Sequence, residues 1–231
     1  MTNNQVIVIS GGSSGLGKAL AAELNKDHTV VILSNEKQPL EEVAKELGVS
    51  AHECDICDPA WCERVIEEIV KEHGKIDVLI NNAGIYLHQK IEETDPDAFK
   101  KLMDVNVNGT FALTRAAVPY MKKQQSGTIL NVVSQAGIHA KVNRSAYNTS
   151  KWALTGMTKC LAIELEPDKI RVMGFYPGKI ATPLFERAGI KDVSFDNALP
   201  VEAAAKAAAF MLSFDYPILI PELGIKHIDN H

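Results

Sequence analysis

The sequence predicts an α/β fold: a doubly wound parallel sheet of about seven strands with helices on both faces, built as a single domain over 1–231. Three observations predict it. Short apolar runs alternate with helix-length runs from end to end, which implies parallel βαβ units joined by right-handed crossovers. The first apolar run breaks directly into glycines that open a helix. No linker, repeat or low-complexity tract divides the 231 residues, a length that one large core can serve.

The elements follow in order. "VIVIS" at 6–10 is an apolar run too short for a membrane span and right for a buried strand, and "LGKALAAELNK" at 16–26 has helical spacing. A second strand at 28–34 precedes a helix at 39–47, and a weaker third strand spans 49–55. Asp58 and Pro59 then supply an N-cap and a first-turn proline for a helix at 60–74. A fourth strand at 75–84 ends in a glycine turn, and one long helix is expected from 97 to about 123. A fifth strand at 127–134, a helix carrying Tyr147 to about residue 165 and a sixth strand at 169–178 come next. A helix at 201–213 and a short closing strand, "PILIPE" at 217–222, finish the chain.

Bulk properties exclude some functions. The net charge of −5, with no basic run or aromatic-interleaved patch, argues against nucleic acid and acidic membrane surfaces. The N-terminal run has no positive leader, so a cytoplasmic protein without a membrane anchor is expected. The sequons at Asn108, Asn143 and Asn148 are then chance matches. Cys54 and Cys57 form a C-x-x-C near Cys62 and His52, but a zinc site lacks its second half, because Cys160 stands alone. Reduced thiols around a strand end, and no metal, are expected, with a Cys54/Cys57 redox pair as the other reading.

Ligands of such sheets bind beyond the carboxyl ends of the strands, where strand order reverses. After strand one comes Ser10, then the turn Gly11, Ser13, Ser14, Gly15, Leu16 and Gly17 in a G-x-x-x-G-x-G spacing. Glycines let backbone approach a pyrophosphate, which then sits at the free N–H groups of a helix start. At the end of strand two a carboxylate would accept from the ribose 2′-hydroxyl and repel a 2′-phosphate. Positions 34 and 35 are Ser34 and Asn35, followed by Glu36 and Lys37. NADP(H) is therefore favoured over NAD(H), with Ser34, Asn35 and Lys37 as phosphate partners.

Further motifs stand at the other strand ends. Strand four ends in Asn81, Asn82, Ala83 and Gly84; the long helix carries Asn106; strand five ends at Ser134, thirteen residues before Tyr147, with Lys151 four further on; strand six ends in Pro177-Gly178 ahead of Thr182. Together with the glycine turn, these five ordered motifs resemble the short-chain dehydrogenase/reductase family over 6 to about 182, with its Rossmann-like sheet.

The resemblance implies an NAD(P)(H)-dependent oxidoreductase that interconverts a carbonyl and an alcohol. Tyr147 is the proton donor or acceptor, Ser134 the second donor to the substrate oxygen, and Asn106 the helical asparagine that helps hold a water linking Lys151 to solvent. Lys151 lies on the same helix face as Tyr147, so its charge and that of the oxidised nicotinamide are expected to lower the tyrosine pKa, and it also bonds the nicotinamide ribose. The cofactor set is completed by Asp55 and Ile56 at the adenine, Asn82, Ala83 and Gly84 beside strand four, Pro177 and Gly178, and Ile180 and Thr182 at the carboxamide. Small residues 148–150 are expected to leave room for ribose and substrate.

A small-molecule carbonyl or alcohol substrate is expected among Ala136, His139 and Val142, the segment 85–88, and an apolar loop at about 183–200 that includes Phe185 and closes as a lid. The closing segment lacks the Asp-Gly-Gly strand of many family members, which bears on whether a homodimer or homotetramer forms. The alternative is a non-catalytic NADP-binding sensor or scaffold, which an intact Asn106–Ser134–Tyr147–Lys151 set disfavours.

Overall fold

In the computed structural model residues 4–229 are described; 1–3 and 230–231, the two ends of the expected 1–231 domain, lie outside the described residues. Seven strands form one sheet: β1 Val6–Ser10, β2 Thr29–Ser34, β3 Ser50–Glu53, β4 Val78–Asn81, β5 Gly127–Val132, β6 Ile170–Pro177 and β7 Glu222–Ile225. Their order is β3-β2-β1-β4-β5-β6-β7 and every neighbouring pair is parallel. Strand order reverses between β1 and β4, so the crevice for a ligand opens there.

The helices are α1 Gly15–Leu24, α2 Lys37–Leu47, α3 Pro59–His73, α4 Pro96–Met103, α5 Thr110–Gln124, α6 Ser145–Glu164, α7 Leu184–Arg187 and α8 Val201–Leu212. They cover both faces because strand residues alternate between them. Ile7, Ile9 and Ile32 pack with Leu20 and Leu24 of α1 and Ala208 and Met211 of α8. Val8, Val31 and Leu33 pack on the other face with Ile66 and Ile69 of α3 and Leu113 and Met121 of α5. Each such aliphatic side chain contributes about 1.5–3 kcal/mol when fully buried. Asp58 caps α3 as its sequence predicts, accepting from Ala60 N and Trp61 N ahead of Pro59.

Two elements differ from the sequence expectation. The run at 97–123 is not one regular helix: a π-helical segment, Asp104–Gly109, separates α4 from α5 and carries Asn106. Gly109 meets Ile56 there, and a Cβ on it would lie 2.6 Å from Ile56 Cγ1. The closing strand is Glu222–Ile225, not 217–222. Pro217 and Pro221 have no N–H to give a ladder, so 217–221 is a loop, and pairing starts with Gly174 N donating to Pro221 O. Arg171 holds this loop, donating to Phe214 O, Ile218 O and Thr128 Oγ1. Among the described residues no helix is long and apolar enough to cross a membrane.

Candidate active site

The turn after β1 is shaped by close approach. Gly11 and Gly15 sit at φ +67° and +52°, left-handed values that glycine adopts without strain. A Cβ on Gly17 would lie 2.0 Å from Gly11 O, and one on Gly11 would lie 2.9 Å from Ala83 Cα. The Asn-Asn-Ala-Gly corner after β4 is tied to this turn. Ser10 Oγ accepts from Asn82 N and Ala83 N, while Asn82 Nδ2 donates to Ser10 O and Gly11 O. Asn82 and Ala83 thus fix the turn's shape, and Gly17 serves by packing on Gly11 rather than by facing the cleft. The turn and the start of α1, which Ser14 does not cap with its side chain, fit a dinucleotide pyrophosphate.

A cleft of about 980 Å³ runs from this turn to Tyr147. Its wall includes Ser13, Asn35, Asp55, Ile56, Gly84, Ser134, Lys151, Pro177, Gly178, Ile180 and Thr182, all sequence-predicted site residues. At the β2 end Ser34 and Asn35 line the cleft and Lys37 does not. The Ser34 hydroxyl is engaged by Ser13 Oγ (2.9 Å) and by Glu36 N (3.1 Å). Lys37 is exposed on the first turn of α2 and is not among the residues that line the cleft. Arg187 of α7 reaches this end, paired with Glu36 at 3.1 Å; its sequence distance from β2 hid it.

Tyr147 and Lys151 lie one turn apart on α6, and both are buried. Lys151 Nζ donates to Val132 O at 3.1 Å and stands 5.8 Å from the centre of the Tyr147 ring. Burial pushes the Lys151 pKa down to about 8. Burial also pushes the Tyr147 phenol up to about 12, although a hydrogen bond with Ser134 pulls it the other way. In the protein alone, desolvation of the phenolate dominates. Ser134 sits at φ 149°, outside the regions that side-chain-bearing residues favour, and its Oγ accepts from Ala136 N at 3.0 Å.

Asn106 is fully buried behind the cleft. Its Oδ1 accepts from Ile85 N (2.8 Å), and its Nδ2 donates to Ile85 O and Ser150 Oγ (both 3.0 Å). The side chain thus bolts the chain after β4 to α6, while its backbone oxygen accepts from Thr110 Oγ1. The residues between Tyr147 and Lys151 also anchor rather than merely leave room: Asn148 Nδ2 donates to His139 O, and Ser150 Oγ to Tyr147 O.

On the substrate side, Ala136, His139 and Phe185 line the cleft, but Val142 does not: it is 83% exposed on the outer side of its loop. Sequence reasoning took in the segment 85–88 without seeing that Tyr86 packs edge-on against both Tyr147 (4.7 Å) and Phe185 (5.0 Å). The loop 183–200 is closed at its base by the Ile180–Leu199 bridge. Lys179 Nζ lies over Phe185 and Phe195 and donates to Ser194 O. The four cysteines are free thiols. The buried Cys54 thiol is hydrogen-bonded with the Cys62 thiol, not with Cys57, and that hydrogen bond and burial raise it far above the usual thiol range; burial first, then Asp55, pushes Cys57 up to about 11.

Comparison with known proteins places these features among relatives. The family model described as "short chain dehydrogenase" matches residues 5–192. The 3-oxoacyl-acyl-carrier-protein reductase of Thermotoga maritima is 37% identical over 192 residues, 79% of this chain and 77% of that protein. The crystal structure of a 3-ketoacyl-acyl-carrier-protein reductase from Brucella melitensis with NADH matches with a TM-score of 0.91 at 32% identity, covering 100% of both chains. The structure of ElxO with NADP bound matches at 0.87 and 27% identity, covering 96% of this chain and 97% of that one.

Proposed function

The chain belongs to the short-chain dehydrogenase family, and from that premise we propose that it is an NAD(P)(H)-dependent oxidoreductase interconverting a carbonyl and an alcohol, with Tyr147 moving the proton. The observation that carries this reading is the shared cleft: the glycine turn, Ser134, Tyr147 and Lys151 face one cavity of about 980 Å³. When bound, the nicotinamide coenzyme supplies a hydride to the carbonyl carbon. All else is done by the chain. The turn 11–17 and the start of α1 hold the pyrophosphate, Asp55 and Ile56 the adenine, and Ile180 and Thr182 the carboxamide.

Tyr147, held in its protonated form, donates to the carbonyl oxygen as negative charge develops there. Ser134 Oγ, accepting from Ala136 N, carries one O–H, which bonds Tyr147 in the protein alone and turns to the substrate oxygen when a carbonyl enters. Lys151 spends one N–H on Val132 O and keeps two for the ribose and for a water leading to solvent. Asn106 positions this assembly from behind. Tyr147→Phe is expected to lose at least ~100-fold in turnover while nicotinamide fluorescence reports unchanged coenzyme binding; full turnover would overturn the assignment.

NADP(H) remains the favoured coenzyme. No carboxylate stands at 34 or 35, and Arg187 adds a cation at that end, although Glu36 faces it. A lower KM for NADPH than for NADH is expected, and a clear NADH preference overturns this choice. A homodimer or homotetramer completes the proposal, supported by exposed Phe111 on α5 and exposed Trp152 and Ile163 on α6. Light scattering at micromolar concentration tests it.

A further inference from the structure

The wall of the cleft around Tyr147 is cationic, and one of its cations has a buried N–H without an acceptor. Arg144 stands three residues before Tyr147, at the N-cap of α6, and its Nε is buried with no hydrogen-bond partner. Its guanidinium lies 5.7 Å from the centre of the Tyr86 ring and bonds the Tyr86 phenol, so it is one aromatic ring away from Tyr147. Lys141 and Lys226 share this wall, brought together from the loop before α6 and the segment after β7. Burial, then the charges of Arg144 and Lys226, lower the Lys141 pKa. Among the described residues the carboxylates on the cleft wall are Glu36 and Asp55, both at the β2–β3 end, and Glu36 is already paired with Arg187.

A chain of net charge −5 has thus gathered like charges where its substrate binds. Such a cluster repels itself and leaves the guanidinium N–H desolvated; a bound oxyanion relieves both costs. Resting on the carbonyl-reductase reading above, we propose that the substrate carries an oxyanion, carboxylate or phosphate, a few bonds from its carbonyl carbon, and that Arg144 binds it with Lys141 and Lys226. Arg144 is then a specificity-determining residue: it sets which ketone is presented to Tyr147.

The test compares 3-oxobutanoate, its methyl ester and 2-oxopropylphosphonate with NADPH. The anions are expected to exceed the ester in kcat/KM by roughly 10- to 100-fold, as one charge-assisted bond predicts. The better of the two identifies the headgroup. Arg144→Met is expected to erase most of that advantage through KM, and Lys226→Met, in an exposed segment, part of it. An ester handled as well as both anions, or equal losses for acid and ester in both variants, overturns the proposal. If no ketone or aldehyde is reduced, the reductase reading falls instead. Calorimetry with malonate on the NADPH-loaded protein then decides the anion site: binding that Arg144→Met and Lys226→Met weaken supports it, and no binding overturns it.

Discussion

Lys151 and Tyr147 are buried one turn apart, and their ionisation sets how the protein responds to pH. The Lys151 ammonium loses its proton near 8 in the fold against 10.5 for the free group. Between those values the unfolded chain holds a proton that the folded chain has released, so this residue makes stability rise with pH across that window. Tyr147 acts in the opposite sense: between 10.0 and about 12 the fold keeps a proton that the unfolded chain has lost, so stability falls there. For catalysis, the carbonyl-reduction rate is expected to fall tenfold per pH unit above about 8, as Lys151 loses its charge. In Lys151→Arg that limb should vanish, since a guanidinium does not titrate in the range; a pH–rate profile of both proteins checks this. The spacing of these two residues was legible in the sequence because it is local. The burial of Tyr147 was not, because it depends on packing by Tyr86 and Phe185 from elements distant in the chain.

At the scale of elements, the π-helical segment 104–109 is the feature that regular helical periodicity hides. It turns Asn106 inward to satisfy both backbone groups of Ile85 and to reach Ser150 on α6. Removing that amide strands a buried donor and acceptor at once. Asn106→Ala is expected to cost about 1–3 kcal/mol of stability, measured by urea unfolding, together with a lower kcat at little change in coenzyme KM. The strand-and-helix alternation was legible because each core strand is a continuous apolar run buried on both faces, as Val6–Ser10 is. The last strand was misplaced because 217–222 has the right hydrophobicity, while the missing N–H groups of Pro217 and Pro221 push pairing onto Glu222–Ile225.

For the molecule as a whole, parallel pairing of every strand places the strand-end motifs at one end of the sheet, which is why separate short sequences could be read as one site. Closure of the far end depends on Arg171, buried beneath the 214–221 loop that delivers β7 and, after it, Lys226 to the cleft. Arg171→Met is expected to destabilise the fold by roughly 2–4 kcal/mol, seen as a lower midpoint in thermal unfolding. What sequence could not show is contact between distant segments, and Arg187 with Glu36 is the clearest instance. That ion pair ties the 183–200 loop to the β2 end of the cleft. On the proposed function, a ligand that competes for either partner shifts how firmly the loop is held, and reciprocity means that whatever effect the loop has on that ligand's affinity is returned by the same factor. Coenzyme and substrate, bound as proposed, then share one equilibrium in which a surface salt bridge is the common term.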